Sequence, residues 1–435
     1  MKKSKLLGII SLILLCAFSF SSCNIAAPEF NGGDISDGFA SMKGESMSPG
    51  ASYDSSDSES GEDVEGSDKI PETDQVVRPS GLITASAWND NDNYELYRKL
   101  FEQWVNEQGT DEYGKFYHKP EWNFNTYNRI KLTVKAGDKT VAGAEVVAES
   151  TGGNTYRAVT DANGVAYLFT EKTEGEITVT SADYTSKIQY LQDTTELEVE
   201  LEGAAEKKNK IELMFVIDVT GSMGDELRYL QDEIYDVISR VYANDNSTEI
   251  SLALLFYRDL DDKEQFKYYD FVNVSAGNGI NGVVAALDSQ KATGGGDYPE
   301  AVDDALEHAV NAQWSSGETT KLIFHILDAP PHSKEENKTK FNKAVKDAAA
   351  KGIRICPIIC SGTDSLTEYL MREAAVMTAG TFVFITDDSG IGGAHHDPDI
   401  PSATVEALNS LMVRLINGYH SGEFADPVDW RQEIK

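Results

Sequence analysis

Three short stretches of the 435-residue chain place side-chain oxygens where they could hold a cation. Asp218-Val-Thr-Gly-Ser-Met223 follows the apolar run Glu212 to Ile217, Thr293-Gly-Gly-Gly-Asp-Tyr-Pro-Glu300 precedes a helical run, and Leu327-Asp-Ala-Pro-Pro-His332 ends a second apolar run. The first brings a carboxylate with two hydroxyls, Asp218, Thr220 and Ser222; the second brings Asp297 and Glu300; the third brings Asp328. No cysteine falls among them and histidine is marginal, so the donor set is that of one hard divalent cation, Mg²⁺, Mn²⁺ or Ca²⁺, in preference to zinc. Taken alone, Asp218 and Ser222 could simply cap a helix starting near Met223. Three oxygen-bearing loops at the same edge of one sheet argue instead for a site.

That edge exists because strands and helices alternate after Lys210, the pattern of a parallel sheet covered on both faces. Strands are expected at residues 212–217, 250–256, 321–327, 353–360 and 381–385, and helices at 223–243, 299–312, 334–351, 365–379 and 405–416. The run Glu212-Leu-Met-Phe-Val-Ile217 is almost uninterrupted in its apolarity, as a central strand buried on both faces should be. The expected fold is α/β, a doubly wound, mostly parallel sheet over residues 208–420, with its ligand outside the carboxyl ends of the strands.

At this point the chain resembles the von Willebrand factor type A (vWA) domain over Ile211 to Ile385. The metal-ion-dependent adhesion site of that family reads Asp-x-Ser-x-Ser, followed by Thr and Asp from two later loops. Asp218, Thr220 and Ser222 match the first element with Thr for the first Ser, and Asp328 falls at the last aspartate. In the middle element the usual Gly-Gly-Thr is replaced by Gly295-Gly-Asp297 with Glu300 behind it, which is similar to the Asp-x-Pro-Glu loop of integrin β subunits. The resemblance implies a binding module and not an enzyme, in which one cation is held by Asp218, Thr220, Ser222, Asp328 and either Asp297 or Glu300, with Thr293 as the alternative ligand. A protein partner would complete the metal sphere with a carboxylate.

An enzyme remains a second expectation. Asp218-Val-Thr-Gly-Ser after an apolar strand is also similar to the Asp-Lys-Thr-Gly-Thr of aspartyl-phosphate enzymes, with Asp218 as nucleophile of a phosphatase or phosphotransferase. Such chemistry needs a basic residue for the phosphoryl group, and no convincing one accompanies it. A third expectation is a scaffold with a vestigial metal site. His395-His-Asp397 is a weaker candidate for a second metal, since adjacent histidines point apart on an extended chain. His325, inside an expected strand, reads as a core residue.

Upstream, the organisation is modular. Lys2, Lys3 and Lys5 precede a short apolar run that ends at Phe20-Ser-Ser-Cys23, which resembles a lipoprotein cleavage box. Residues 1–23 are therefore expected to be a signal peptide and Cys23 the lipidated residue, placing the protein outside the cytoplasm, at the bacterial cell surface or outer membrane, with the lipid as its only membrane contact. Residues 24–80 are expected to be a disordered acidic linker, since Glu29 to Asp74 carry thirteen acids against two lysines and almost nothing apolar. Residues 81–128 read as an aromatic-rich connecting segment with one helix carrying Tyr94, Tyr97, Phe101 and Trp104, and residues 421–435 as a tail. Over 129–203 the period switches to two, which predicts a small antiparallel β-sandwich. Val141-Ala-Gly-Ala-Glu-Val146 and Thr160-Asp-Ala-Asn-Gly-Val-Ala166 there resemble the carboxypeptidase regulatory-like, prealbumin-type sandwiches. Cys356 and Cys360, four apart on a strand, stand about 13 Å from each other and are expected to be free thiols. The net charge of −34, from 72 acids and 38 bases, argues against nucleic acid as a partner.

Overall fold

The computed structural model describes residues 83–107, 122, 124–171, 173–277, 279–316, 318–389, 395, 398 and 400–433. The signal peptide, Cys23 and the acidic linker lie outside the described residues, as do His396 and Asp397.

Strand β1 (Thr84–Trp88) and helix α1 (Tyr94–Glu107) come first. Eight strands follow: β2 (Arg129–Ala136), β3 (Lys139–Thr140), β4 (Glu145–Ser150), β5 (Thr155–Val159), β6 (Val165–Phe169), β7 (Gly175–Ser181), β8 (Tyr184–Tyr190) and β9 (Glu196–Glu200). They form two four-stranded sheets, and apolar residues of both, such as Leu132 and Val134 of one and Val146 and Val179 of the other, join one buried cluster. The β2–β9 pair is parallel, where an antiparallel arrangement was expected. Strand β8 is largely polar and exposed and so leaves little signal in the sequence, whereas β5 alternates, with Tyr156 and Ala158 buried.

The remainder alternates: β10 (Lys210–Asp218), α2 (Gly224–Asn244), β11 (Glu249–Tyr257), β12 (Phe266–Asn273), α3 (Ile280–Asp288), α4 (Val302–Val310), β13 (Thr320–Leu327), α5 (Glu335–Ala350), β14 (Ile353–Ile359), α6 (Ser365–Met377), β15 (Phe382–Ile385), β16 (Glu406–Ala407), α7 (Leu408–Ser421) and α8 (Trp430–Glu433). The large sheet is mixed, in the order β12-β11-β10-β13-β14-β15-β1-β16. Strands β11, β10, β13, β14 and β15 run parallel, while β12, β1 and β16 add antiparallel edges. Every residue of β13 is buried, Lys321 and His325 among them, since helices cover both faces. The chain order reverses between β10 and β13, so their carboxyl ends diverge there and leave a crevice.

Two expected boundaries change. Residues 84–88, expected within a connecting segment, are instead a strand of the large sheet, with Ala85 opposite Ile385 and Thr84 opposite Ala407. The expected tail contains Trp430, 1% exposed, whose backbone N–H donates to Val405 O at 3.0 Å. Only five residues long, β1 has too short an alternation to read in a sequence rich in aromatics.

Helix α1 does bury the face carrying Tyr94, Tyr97 and Phe101; the side chain of Trp104 lies outside the described residues. That face packs on α6, and the joint is polar. Arg372 of α6 donates from Nε and Nη2 to the two carboxylate oxygens of Asp90, at 2.9 and 2.7 Å, and from Nη1 to Glu368 at 2.8 Å. All three side chains are 1–2% exposed. Breaking such a pair from one side strands a buried charge. We expect Asp90→Ala to lower the unfolding free energy by about 3–5 kcal/mol in urea titration.

Glu373, one position on, accepts from Tyr97 OH at 2.6 Å while its Oε2 is buried without a partner. Burial pushes this carboxyl up to about 7, against the hydrogen bonds from Tyr97 and Thr126. A carboxyl with a raised folded-state pKa favours folding fully below its ordinary value near 4.5, and that contribution is lost as pH rises through 7. Glu373→Gln should therefore lose less stability than the unaltered chain between about pH 5 and 8, with the difference on the order of 3 kcal/mol or less in pH-dependent denaturation.

Candidate functional site

The crevice between β10 and β13 collects the acids of the first and third loops. Asp218 ends β10 with its side chain wholly buried, and its Oδ1 accepts from Thr220 N at 2.8 Å and Thr220 Oγ1 at 2.7 Å. The chain turns here through a short 3₁₀ segment (Gly221–Met223), and α2 begins with no side-chain cap. The capping alternative for Asp218 and Ser222 thus fails: neither side chain bonds the α2 start. Thr220 Oγ1 stands 3.5 Å from Ser222 Oγ, and the Ser222 hydroxyl donates in turn to Asp328, just beyond β13. Asp218, Thr220, Ser222 and Asp328 form one chain of contacts.

The second loop enters across glycines. Gly295 sits at φ +76°, and a Cβ there would lie 2.8 Å from Glu300 Oε1 and 3.2 Å from Thr220 Cβ. Glu300 and Thr220 thus flank a point where only glycine leaves room. Glu300 is 5% exposed, and its backbone N–H donates to Pro330 O at 3.0 Å, which ties it to the loop carrying Asp328. Asp262 supports the same turn by accepting from Gly295 N at 3.0 Å. Arg258 braces it from below, donating from Nε to Thr293 O at 2.9 Å and from Nη2 to Lys291 O at 3.1 Å. The loop between β10 and α2 meets it where Gly221 N donates to Gly294 O at 3.2 Å.

Of the three alternatives in this loop, the structure brings Glu300 to the cluster. Asp297 is exposed and bonds to none of the other acids, and Thr293 is exposed with only its backbone engaged. Glu300 arrives because the isolated bridge to Pro331 draws it inward, whereas Asp297 lies at the outer tip of the glycine run.

The electrostatics are those of carboxylates crowded out of water. Burial, then the Asp328 charge, raises Asp218 to about 7, with the Thr220 hydrogen bonds and Arg258 opposing. Burial, then Asp218, Asp259, Asp328 and Asp262, raises Glu300 to about 9. Burial also raises Asp328, against the Ser222 hydrogen bond. Asp218 Oδ2 and Glu300 Oε2 are buried with no hydrogen-bond partner. Among the described residues, however, no three His, Cys, Asp or Glu side chains are grouped so as to hold a metal by themselves.

Further residues surround the site, and of these Glu226 was not legible in the sequence, whereas Tyr257, Arg258 and Asp259 are expected at the rim of this face from their place at the end of the second strand. Glu226, in the first turn of α2, is 5% exposed, accepts from Ser361 Oγ at 3.0 Å and leaves Oε2 unpartnered; an acid there would ordinarily be read as complementing the helix dipole. Asp259 Oδ1 accepts from His332 Nε2 at 2.8 Å, linking the loops after β11 and β13. Beneath the site Tyr257 OH pairs with His325 Nε2 at 3.2 Å, and burial holds His325 down at about 3, so this histidine stays neutral in the core as expected. His395 Nδ1 lies 2.8 Å from Asp387 Oδ1, apart from this cluster. Cys356 and Cys360 are free and buried.

Residues 212–382 match the family model of the von Willebrand factor A domain. Among curated proteins the chain is similar to an ariadne-like RING finger protein, R811, of Acanthamoeba polyphaga mimivirus, at 25% identity over 46% of this chain and 20% of that protein. It is also similar to alpha-protein kinase vwkA of Dictyostelium discoideum, at 24% identity over 29% of this chain and 19% of that protein. The chain thus spans about a fifth of the length of these curated relatives. Among solved structures it overlaps the conserved hypothetical protein BatB of Bacteroides thetaiotaomicron with TM-score 0.28 and 17% identity, over 40% of this chain and 89% of that one. The pilus adhesin SpaC of Lactobacillus rhamnosus GG, in an open conformation, overlaps with TM-score 0.31 and 12% identity, over 57% and 32%.

The glycine turn gives a local test. Gly295→Ala combines a left-handed backbone with displacement of Glu300 and should cost about 1–2 kcal/mol or more in chemical denaturation. Gly296→Ala, with nothing within 4 Å of the added methyl group, should be close to neutral.

Proposed function

We propose that the von Willebrand factor A domain of this chain is a protein-binding module that works through one divalent cation seated between β10 and β13. The observation that carries this is the pair of buried, unpartnered carboxylate oxygens, Asp218 Oδ2 and Glu300 Oε2, beside Asp328. Leaving a buried polar atom unpaired costs about 1–3 kcal/mol, and more for a charge, so a cation taken up here offsets an existing penalty. Asp218, Asp328 and Glu300 would hold it together with the Thr220 and Ser222 hydroxyls, directly or through water. With no group of three such side chains among the described residues, hydroxyl donors are a necessary part of the sphere. Oxygen donors of mixed charge suit Mg²⁺, Mn²⁺ or Ca²⁺. When bound, the ion supplies a Lewis-acidic position for an outside oxygen, and a carboxylate from a protein partner is the ligand we assign to it.

The setting we propose is extracytoplasmic, with the chain lipid-anchored through Cys23 and displayed on its acidic linker. No helix among the described residues is long and apolar enough to cross a membrane. The two small sheets we read as a carboxypeptidase regulatory-like sandwich, docked as a base for the binding domain.

The cation is tested by thermal unfolding of the full chain with Mg²⁺, Ca²⁺ or Mn²⁺ against chelator. A concentration of 100 times Kd should stabilise the chain by about 2.7 kcal/mol. Asp218→Ala should abolish that gain. Equal melting curves with and without each ion would remove the cation from this site. Capture of a surface protein that is released by chelator would support the partner; turnover of p-nitrophenyl phosphate lost in Asp218→Asn would point to phosphoryl chemistry instead.

A further inference from the structure

At the opposite edge of the large sheet, the amino-terminal one, the electrostatics are reversed. A cavity of about 30 Å³ lies where the turn between β5 and β6 meets the starts of β13 and β14. Lys207, Lys321, Lys351 and Arg354 stand around it. Lys321 and Arg354 are 6% and 7% exposed. Among the described residues none of the four cations pairs with a carboxylate. Lys321 Nζ donates to Lys351 O at 3.1 Å, Arg354 Nη1 to Gly352 O at 2.9 Å and Nη2 to Val159 O at 3.5 Å. Lys351 Nζ donates to Val310 O at 2.8 Å, and Lys207 Nζ to His420 O.

Two of the nearby acids, Glu212 and Asp161, are engaged with other groups. Glu212, opposite Lys321 in the β10–β13 register, accepts from Lys210 Nζ at 3.2 Å and from Ser315 N at 2.9 Å. Asp161, on the cavity wall, spends Oδ1 on the N–H groups of Asn163 and Val165, at 2.9 and 2.8 Å. Glu318 is the second acid of the wall, against four cations. Buried cations are ordinarily paired, and this chain has 72 acids with which to pair them. Burial, ahead of every charge, lowers the Lys321 ammonium; Glu212 opposes, and Arg354 and Lys351 lower it further.

We propose that this cavity binds a small inorganic anion of halide size, chloride in practice, through Lys321, Arg354 and Lys207. The space exceeds the roughly 10–15 Å³ that one water-sized sphere needs, so a monatomic ion fits. The ion joins residues 159–161 of the small sheets to the first residues of β13 and β14, so it acts on the seam between them and not on the cation crevice at the other edge.

The test is thermal unfolding of the full chain, with chelator present, in sodium chloride against sodium gluconate at equal ionic strength. Chloride at roughly ten times Kd should raise the melting temperature by about 2 °C, with saturation. Arg354→Gln should lose this increment, and so should Lys207→Gln, which lies outside every helix and strand and keeps the fold should Arg354→Gln fail to fold. Identical melting in the two salts, or an unchanged increment in Lys207→Gln, overturns the site. In bromide-soaked crystals an anomalous peak between Lys321 and Arg354 supports it; bromide bound only elsewhere overturns it.

Discussion

The structure is organised around carboxylates held out of water at one point of a parallel sheet. Asp218 and Asp328 end β10 and β13, the two strands between which the chain reverses its winding, and Glu300 is brought in from a separate loop. Burial raises the proton affinity of all three, Asp328 adds to that of Asp218, both add to that of Glu300, and two of the three keep a buried oxygen without a partner. A fold would relieve that repulsion readily by exposing one acid. It is retained because the strands that lead into Asp218 and Asp328 are fixed by their ladder: Ile217 pairs with Ile326, one residue before Asp218 and two before Asp328.

What surrounds the acids serves to keep them there. Arg258 donates to carbonyls of residues 264, 291 and 293 and has the Glu264 carboxylate 3.9 Å away, so it stiffens the glycine loop while neutralising only part of the charge. Asp262 caps the N–H of Gly295. Below, the Tyr257–His325 pair closes the site with neutral groups. A buried cationic histidine would have supplied a fixed counter-charge, and its low proton affinity denies it. The charge imbalance is therefore open to the solvent side alone.

The parts legible in the sequence were those with a local signal. The apolar runs that became β10, β11, β13 and β14 announced themselves because burial on both faces makes most of their positions apolar. The motif at Asp218 was legible because its donors lie within five residues. The choice among Thr293, Asp297 and Glu300 was not, since it depends on a bridge to Pro331 more than thirty residues away. Strand β1 was hidden for the same reason: Thr84 to Trp88 become a strand only by filling the gap between β15 and β16, far along the chain. Glu226 looks like any acid at a helix start until Ser361 and Asp328 are placed beside it.

That long-range insertion also changes what the upstream region does. With β1 inside the large sheet and α1 locked to α6 by the Asp90–Arg372 pair, the segment before the small sheets is structural to the binding domain. Tyr156 OH donates to Met377 O at 2.8 Å, and the buried cluster of the small sheets runs on into Phe341 and Tyr369 of α5 and α6. A spacer on a hinge would need a polar seam with few contacts. Here a continuous apolar core crosses the seam, so the small sheets and helices α5 and α6 of the large sheet share one buried cluster in place of a hinge.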